Sequence, residues 1–354
     1  MTFVNEDQDA VAGYDDRTDL RRVEVFTTGG TISATPTGKG GSAPTLSGDA
    51  LLTGVAAEGL DIRTHERVPL PSNWMTIADA IDLADAIDAA AADGADAALI
   101  VQGTDTLEET GFVIELARRS TIPVALTGAM RTPATPGADG PANISASLAY
   151  LRDALPETTA VVMNDEVHPA RHVRKEHTIR TDAFASAPFG PLGTIVESEY
   201  RSYRPAAPLP RDVVAGLRRE PGNVLIINGV LGEDFSWLPA VIGRFDGVVV
   251  DALGAGHVSR GAAHTLEIIA NRVPVVITSR TGAAPMPTST YSYEGSETFL
   301  REAGALLSGG LDALRARLLL SLVCDGDIER AKARYRSVES YLVPGLAAHQ
   351  QGSR

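Results

Sequence analysis

Val23-Glu24-Val25-Phe26 runs directly into Thr27-Thr28-Gly29-Gly30-Thr31-Ile32, and Ala97-Ala98-Leu99-Ile100-Val101 runs directly into Gln102-Gly103-Thr104-Asp105-Thr106. Each apolar run has the length and β-rich character of a buried strand, and each ends in hydroxyls and glycine. In open parallel α/β sheets, ligands bind at that end of the strand. Two threonine-rich tips therefore predict one cleft built around hydroxyl chemistry.

Working outward, further strand candidates lie at 123–127, 160–164 and 193–197, separated by alanine-rich segments at 76–92, 106–119 and 140–154. Ile77, Ile81, Ala84 and Ile87 share one face at helical spacing. This alternation predicts a mainly parallel sheet flanked by helices. A proline-rich stretch through Pro205, Pro208 and Pro210 predicts an extended linker, because proline lacks an amide donor and fixes φ. Beyond it, strands at 224–228, 247–251 and 274–278 and helices near 259–271, 296–308 and 311–324 predict a smaller parallel α/β domain. The expected division is a tail over 1–21, an N-terminal catalytic domain over 22–200, a linker over 201–222, the second domain over 223–345 and a tail over 346–354.

The 354 residues suffice for two cores, and a net charge of -14 gives the wrong sign for nucleic acid or an anionic membrane surface as partner. The single cysteine, Cys324, adjoins the run Leu318–Val323 and reads as a core residue. No intrachain disulfide is possible, and Met1 to Asp19 is polar and acidic, without a secretory or anchor pattern. Together these features predict a cytoplasmic protein.

A threonine hydroxyl needs a base, and donors for the oxyanion it creates on attack. Gly29 and Gly30 leave adjacent backbone N–H groups unobstructed beside Thr28, although such a turn can also be purely structural. Thr106-Leu107-Glu108-Glu109 has the capping-box pattern, which leaves Thr104 and Asp105 in the strand-to-helix turn. Asp105 could then hold an ammonium group or simply cap the helix. Lys175, in Val173-Arg174-Lys175-Glu176, is either a solvated lysine or the amine that such a hydroxyl pair requires. Asp79, Asp82, Asp85 and Asp88 read as a solvated helix face.

Taken together, Thr28-Gly29-Gly30-Thr31-Ile32, Gly103-Thr104-Asp105-Thr106, Gly128-Ala129-Met130-Arg131 with Ala138-Asp139-Gly140-Pro141, and Lys175 resemble the bacterial-type L-asparaginases. The resemblance continues through Gly190-Pro191-Leu192-Gly193, Phe245-Asp246-Gly247 and Ser279-Arg280-Thr281-Gly282 to about residue 340. It implies hydrolysis of L-asparagine to aspartate and ammonia through an acyl-threonine, without metal or organic cofactor. By position, Thr28 corresponds to the nucleophile, and Thr104, Lys175 and Asp105 to the activating group. Asp105 also grips the substrate's α-amino group. Ser72 corresponds to the carboxylate-binding serine, with Asn73 beside it. A homodimer or homotetramer is implied as well. A preference for glutamine or another amino-acid amide, or a non-catalytic amino-acid sensor, are the alternative readings.

The sequence departs from the family at three places. The loop from Ser33 to Thr45 lacks the lid tyrosine, while Gly38, Gly40 and Gly41 predict a flexible lid. Tyr291 or Tyr293 could supply a phenol from the second domain. His257 stands where members have an asparagine-rich turn, and Glu294 is the nearest candidate for the acid that reaches a neighbouring subunit. A metal site at His168, His172 and His177 is disfavoured by the surrounding Arg171, Arg174 and Lys175.

Overall fold

The apolar runs form strands because each is covered on both faces. In the computed structural model, which describes residues 21–38, 40–55, 58–282 and 285–343, Ala97, Leu99 and Val101 point into one core cluster and Ala98 and Ile100 into another. Burying each Leu or Ile in this way contributes roughly 2 kcal/mol, and a strand with both faces covered has no position left for the alternating polar pattern.

Along the chain lie β1 (Arg21–Thr27), β2 (Ala34–Pro36), β3 (Ser42–Pro44), α1 (Gly48–Leu52), β4 (Leu60–Glu66), α2 (Ile77–Ala92), β5 (Ala97–Val101), α3 (Leu107–Ala117) and β6 (Val124–Thr127). Next come α4 (Gly140–Asp153), β7 (Thr159–Met163), β8 (Glu166–Pro169), β9 (Arg174–Lys175), β10 (Phe184–Ala185), β11 (Gly193–Val196), β12 (Glu199–Ser202) and α5 (Arg211–Val214). The rest is β13 (Val224–Asn228), α6 (Leu238–Val241), β14 (Gly247–Ala252), α7 (Arg260–Ala270), β15 (Val275–Ser279), α8 (Glu297–Glu302), β16 (Leu306–Leu307), α9 (Ala313–Val323) and α10 (Ile328–Leu342).

The large sheet has the order β12-β11-β8-β7-β6-β5-β1-β4 and is parallel from β4 to β7, then antiparallel. The second sheet, β13-β14-β15-β16, is parallel throughout. The larger, mainly parallel domain and the smaller parallel one expected from the sequence are both present. Ile81 of α2 and Phe112, Val113 and Leu116 of α3 share a core with Leu318, Leu319 and Leu322 of α9 and Tyr335 of α10, so the two sheets are joined through helices. Among the described residues no helix is long and apolar enough to cross a membrane.

Several elements differ from expectation. The stretch 296–308 is not one helix: α8 stops at Glu302, Gly304 turns at φ 91°, and β16 follows. The linker is not wholly irregular, since Arg201 and Ser202 belong to β12 and Arg211–Val214 form a helical turn. The Ser33–Thr45 segment is a short hairpin of β2 and β3, closed by a 2.7 Å contact between the Thr35 and Thr45 hydroxyls, with Gly38, Gly40 and Gly41 at positive φ. The two expected tails lie outside the described residues except Arg21, which opens β1. Cys324 is buried, as expected, and burial pushes its thiol up to about 12.

Candidate active site

Parallel pairing sets the tips of β1 and β5 side by side, with Thr27 opposite Val101. Thr28 continues the ladder: its N–H donates to Val101 O at 3.0 Å, and its carbonyl accepts from Leu70 N at 2.8 Å. The chain then turns at Gly29 and Gly30, at φ 100° and 93°. At Gly30 the reason is contact as well as dihedral, because a Cβ there would sit 2.2 Å from the Gly103 Cα. A Cβ on Gly103 would in turn meet Ser72 Oγ at 2.8 Å. The two tips thus touch backbone to backbone, and the Ser72 side chain packs against the second of them.

Thr104 and Asp105 lie in the single turn before α3, and Thr104 is buried while Asp105 is exposed. Lys175 arrives from β9, and its Nζ donates to Thr104 Oγ1 at 2.9 Å and to Asp105 Oδ1 at 2.7 Å. The Lys175 amide donates to Glu108 Oε2 at 2.9 Å. Burial pushes the Glu108 carboxyl up from its ordinary value, against the pull of the Arg315 guanidinium and of that amide. Such an arrangement offers a hydroxyl held by a cation and a carboxylate that can receive an ammonium group, while the Thr28 hydroxyl donates to Val101 O at 3.4 Å at the neighbouring strand tip.

The expected capping box at Thr106 is not formed. Thr106 makes no side-chain cap; its hydroxyl accepts from Gln102 Nε2 at 3.2 Å and donates to Ser72 O at 2.9 Å. Ser72 is buried, and its Oγ accepts from the Asp105 amide at 3.3 Å. Asn73, beside it, is exposed. Gln102 and Glu108 were missed as contributors; both lie inside quoted motifs, but only the fold reveals that Gln102 holds the Thr106 and Thr110 hydroxyls and Glu108 the Lys175 amide.

Candidates from the second domain gather elsewhere. Tyr293 Oη lies 2.8 Å from His257 Nδ1, and His257 Nε2 lies 2.9 Å from Glu297 Oε2. Tyr291 packs edge-on against the His257 ring at 5.1 Å. Glu297 is fully buried and its other oxygen accepts from the Thr290 and Tyr291 amides, both at 2.6 Å. Glu294 turns instead to Arg260, at 2.7 Å, and His264, at 3.6 Å. The structure joins Tyr293 and His257 to Glu297, which the sequence did not single out, and leaves Glu294 on a separate surface pair. Of the three histidines weighed as metal ligands, His168 meets Ser186 Oγ at 2.7 Å, His172 packs on Phe189 at 4.2 Å, and His177 Nδ1 accepts from the Ile179 and Arg180 amides at 3.2 Å.

Residues 22–208 match the family model described as asparaginase, N-terminal, and residues 223–334 that of the glutaminase/asparaginase C-terminal domain. The chain belongs to the asparaginase family. It is 33% identical over 322 residues to a probable L-asparaginase of Deinococcus radiodurans, covering 89% of this chain and 96% of that protein. Among solved structures it resembles the thermostable L-asparaginase from Thermococcus kodakarensis, with a TM-score of 0.81 at 24% identity, over 92% of this chain and 99% of that one. It also resembles a probable cytoplasmic L-asparaginase from Campylobacter jejuni, with a TM-score of 0.75 at 27% identity, over 89% and 98%. As an asparaginase-family chain it carries the glycine-threonine tips at the C-terminal ends of β1 and β5, where the sheet topology expects a ligand.

Proposed function

We propose that this chain is an L-asparagine amidohydrolase releasing aspartate and ammonia. The observation that carries the reading is Lys175 Nζ, hydrogen-bonded to both Thr104 and Asp105 at the strand tip that adjoins Thr28. The relatives' names support asparagine as the substrate.

The Thr28 hydroxyl oxygen bonds to the side-chain amide carbon as its proton passes to the leaving nitrogen, the carbon–nitrogen bond breaks, and ammonia departs. Water, activated by the Thr104–Lys175 pair, then bonds to the same carbon and gives a proton to the Thr28 oxygen as the ester bond breaks, so that aspartate leaves and the hydroxyl is restored. Lys175 donates to the Thr104 oxygen, which leaves the hydroxyl's own proton free to turn toward the cleft and stabilises negative charge on that oxygen. Asp105 is assigned to the substrate's α-ammonium, and the buried Ser72, with the exposed Asn73 beside it, to the α-carboxylate. The reading includes a catalytic domain over 22–200, a linker over 201–222 and a second domain over 223–345. It also includes a cytoplasmic homodimer or homotetramer, to whose assembled sites the Tyr293–His257 pair and the half-exposed Tyr291 are the available second-domain contributors.

Ammonia release by wild type and Thr28→Ala, over asparagine, glutamine and their D-isomers, tests this directly. The expected result is turnover of L-asparagine by the wild type, unaffected by EDTA, and a loss of at least about a thousandfold in the variant. Full activity in Thr28→Ala would remove the mechanism, and wild-type binding without ammonia release would make the protein a sensor.

A further inference from the structure

We propose that Arg315, at the start of α9 in the second domain, is a positioning residue for Lys175. The inference rests on the catalytic role given to Lys175 above.

Strand β9 has only two residues, and its ribbon with β10 lies outside both main sheets. So short a ribbon cannot by itself hold a four-carbon side chain to hydrogen-bond tolerance. Two backbone anchors, one on Lys175 itself and one two residues before it, do so together with it. One is Glu108, in the first turn of α3, accepting the Lys175 amide at 2.9 Å. The other is the Arg315 guanidinium, whose Nη2 donates to the carbonyl of Val173, two residues before the lysine.

Arg315 is held rigidly enough to act as an anchor. Its side chain is buried, and its guanidinium lies 6.0 Å from the centre of the Phe112 ring on α3. Nη1 pairs with Asp312 Oδ2, while Asp312 Oδ1 caps α9 by accepting the Arg315 amide at 2.9 Å. Asp312 also lies 3.9 Å from Arg174 Nε, on the residue between Val173 and Lys175. A buried cation loses several kcal/mol of hydration, and a carboxylate plus a carbonyl partner offset it only in this geometry. The arginine therefore fixes the loop to the second domain, and with it the reach of Nζ to Thr104 and Asp105. A displacement of about 1 Å would break both bonds.

The test is steady-state and single-turnover ammonia release from L-asparagine by the full chain, with thermal melts alongside. Arg315→Met is expected to lower kcat by about tenfold or more with KM changed less than about threefold, and Arg315→Lys to recover part of the loss. In a Lys175→Met background, Arg315→Met should cost almost nothing further, because the effect runs through the lysine. Equal losses in both backgrounds would make Arg315 merely structural and overturn the proposal. Should Arg315→Met fail to fold, Asp312→Asn keeps the α9 cap and weakens the hold on the guanidinium. It is expected to reduce kcat in the same direction, and an unchanged kcat there counts against the proposal. A wild-type rate in Lys175→Met would instead overturn the role of the lysine, a failure distinguishable from a crippled Lys175→Met beside an unaffected Arg315→Met.

Discussion

A single hydrogen atom at Gly30 decides whether the two strand tips can meet. Its φ of 93° is in the left-handed region that disfavours a Cβ, and the added methyl would lie 2.2 Å from the Gly103 Cα, which belongs to the turn carrying Thr104 and Asp105. Backbone cannot rotate away as a flexible side chain can. Gly30→Ala is therefore expected to destabilise the fold by about 3 kcal/mol and to separate Thr28 from Thr104. A urea midpoint and an ammonia assay check this together: a variant of normal stability and activity would show that the tips tolerate separation. At this scale the glycine-threonine motifs were legible, because hydroxyls and glycines after apolar runs are unusual in themselves. Lys175 was not legible alone, since nothing local distinguishes it from a solvated lysine. Its meaning comes from Glu108 and Arg315, each far away in sequence.

At the scale of elements, the carboxylates along α2 illustrate why a polar helix face is hard to read. Asp79 accepts from the Thr76 amide at 2.8 Å in a capping box, and Asp85 pairs with Arg219. Asp88 accepts from the Arg119 and Ser120 amides, at 2.9 and 2.7 Å, where the chain leaves α3. The solvated-face reading therefore fails for Asp79 and Asp88, which hold backbone amides, while Asp82 and Asp85 keep exposed side chains. Asp88→Ala is expected to cost about 1–2 kcal/mol, because it strands amide donors, and Asp82→Ala less than about 0.5 kcal/mol. Denaturant midpoints of the two variants measure the difference, and equal midpoints would restore the original reading. The capping box expected at Thr106 forms at Thr76 instead, because the pattern fits both and only tertiary contacts draw the Thr106 hydroxyl to Ser72. Strand β4 escaped notice for a related reason: at the sheet edge, Asp61, Arg63, His65 and Glu66 interrupt its apolar residues.

Over the whole molecule, the parallel sheets were legible from buried strands, but the coupling between them was not, because it depends on helices packed across the chain. Helix α10 closes that shared core and carries Glu339, whose carboxylate accepts from Ser308 Oγ at 2.7 Å and the Gly309 amide at 2.9 Å. These donors precede Asp312 and Arg315, so the same loop borders the anchor proposed for Lys175. Burial raises the Glu339 carboxyl to about 7, with the Ser308 and Gly309 donors and Arg336 pulling the other way. Between pH 4.5, the group's ordinary value, and about 7, the folded chain keeps this proton and the unfolded chain gives it up. The contribution of Glu339 to stability thus falls as pH rises through that window, by on the order of 3 kcal/mol, and is level above it. Glu339→Gln, which keeps an acceptor oxygen but cannot ionise, should remove this slope and melt higher than wild type at pH 8. Melts at pH 5 and pH 8 for both proteins decide the matter: parallel pH dependences would mean that Glu339 is ionised in the folded chain throughout, and that its hydrogen bonds outweigh its burial.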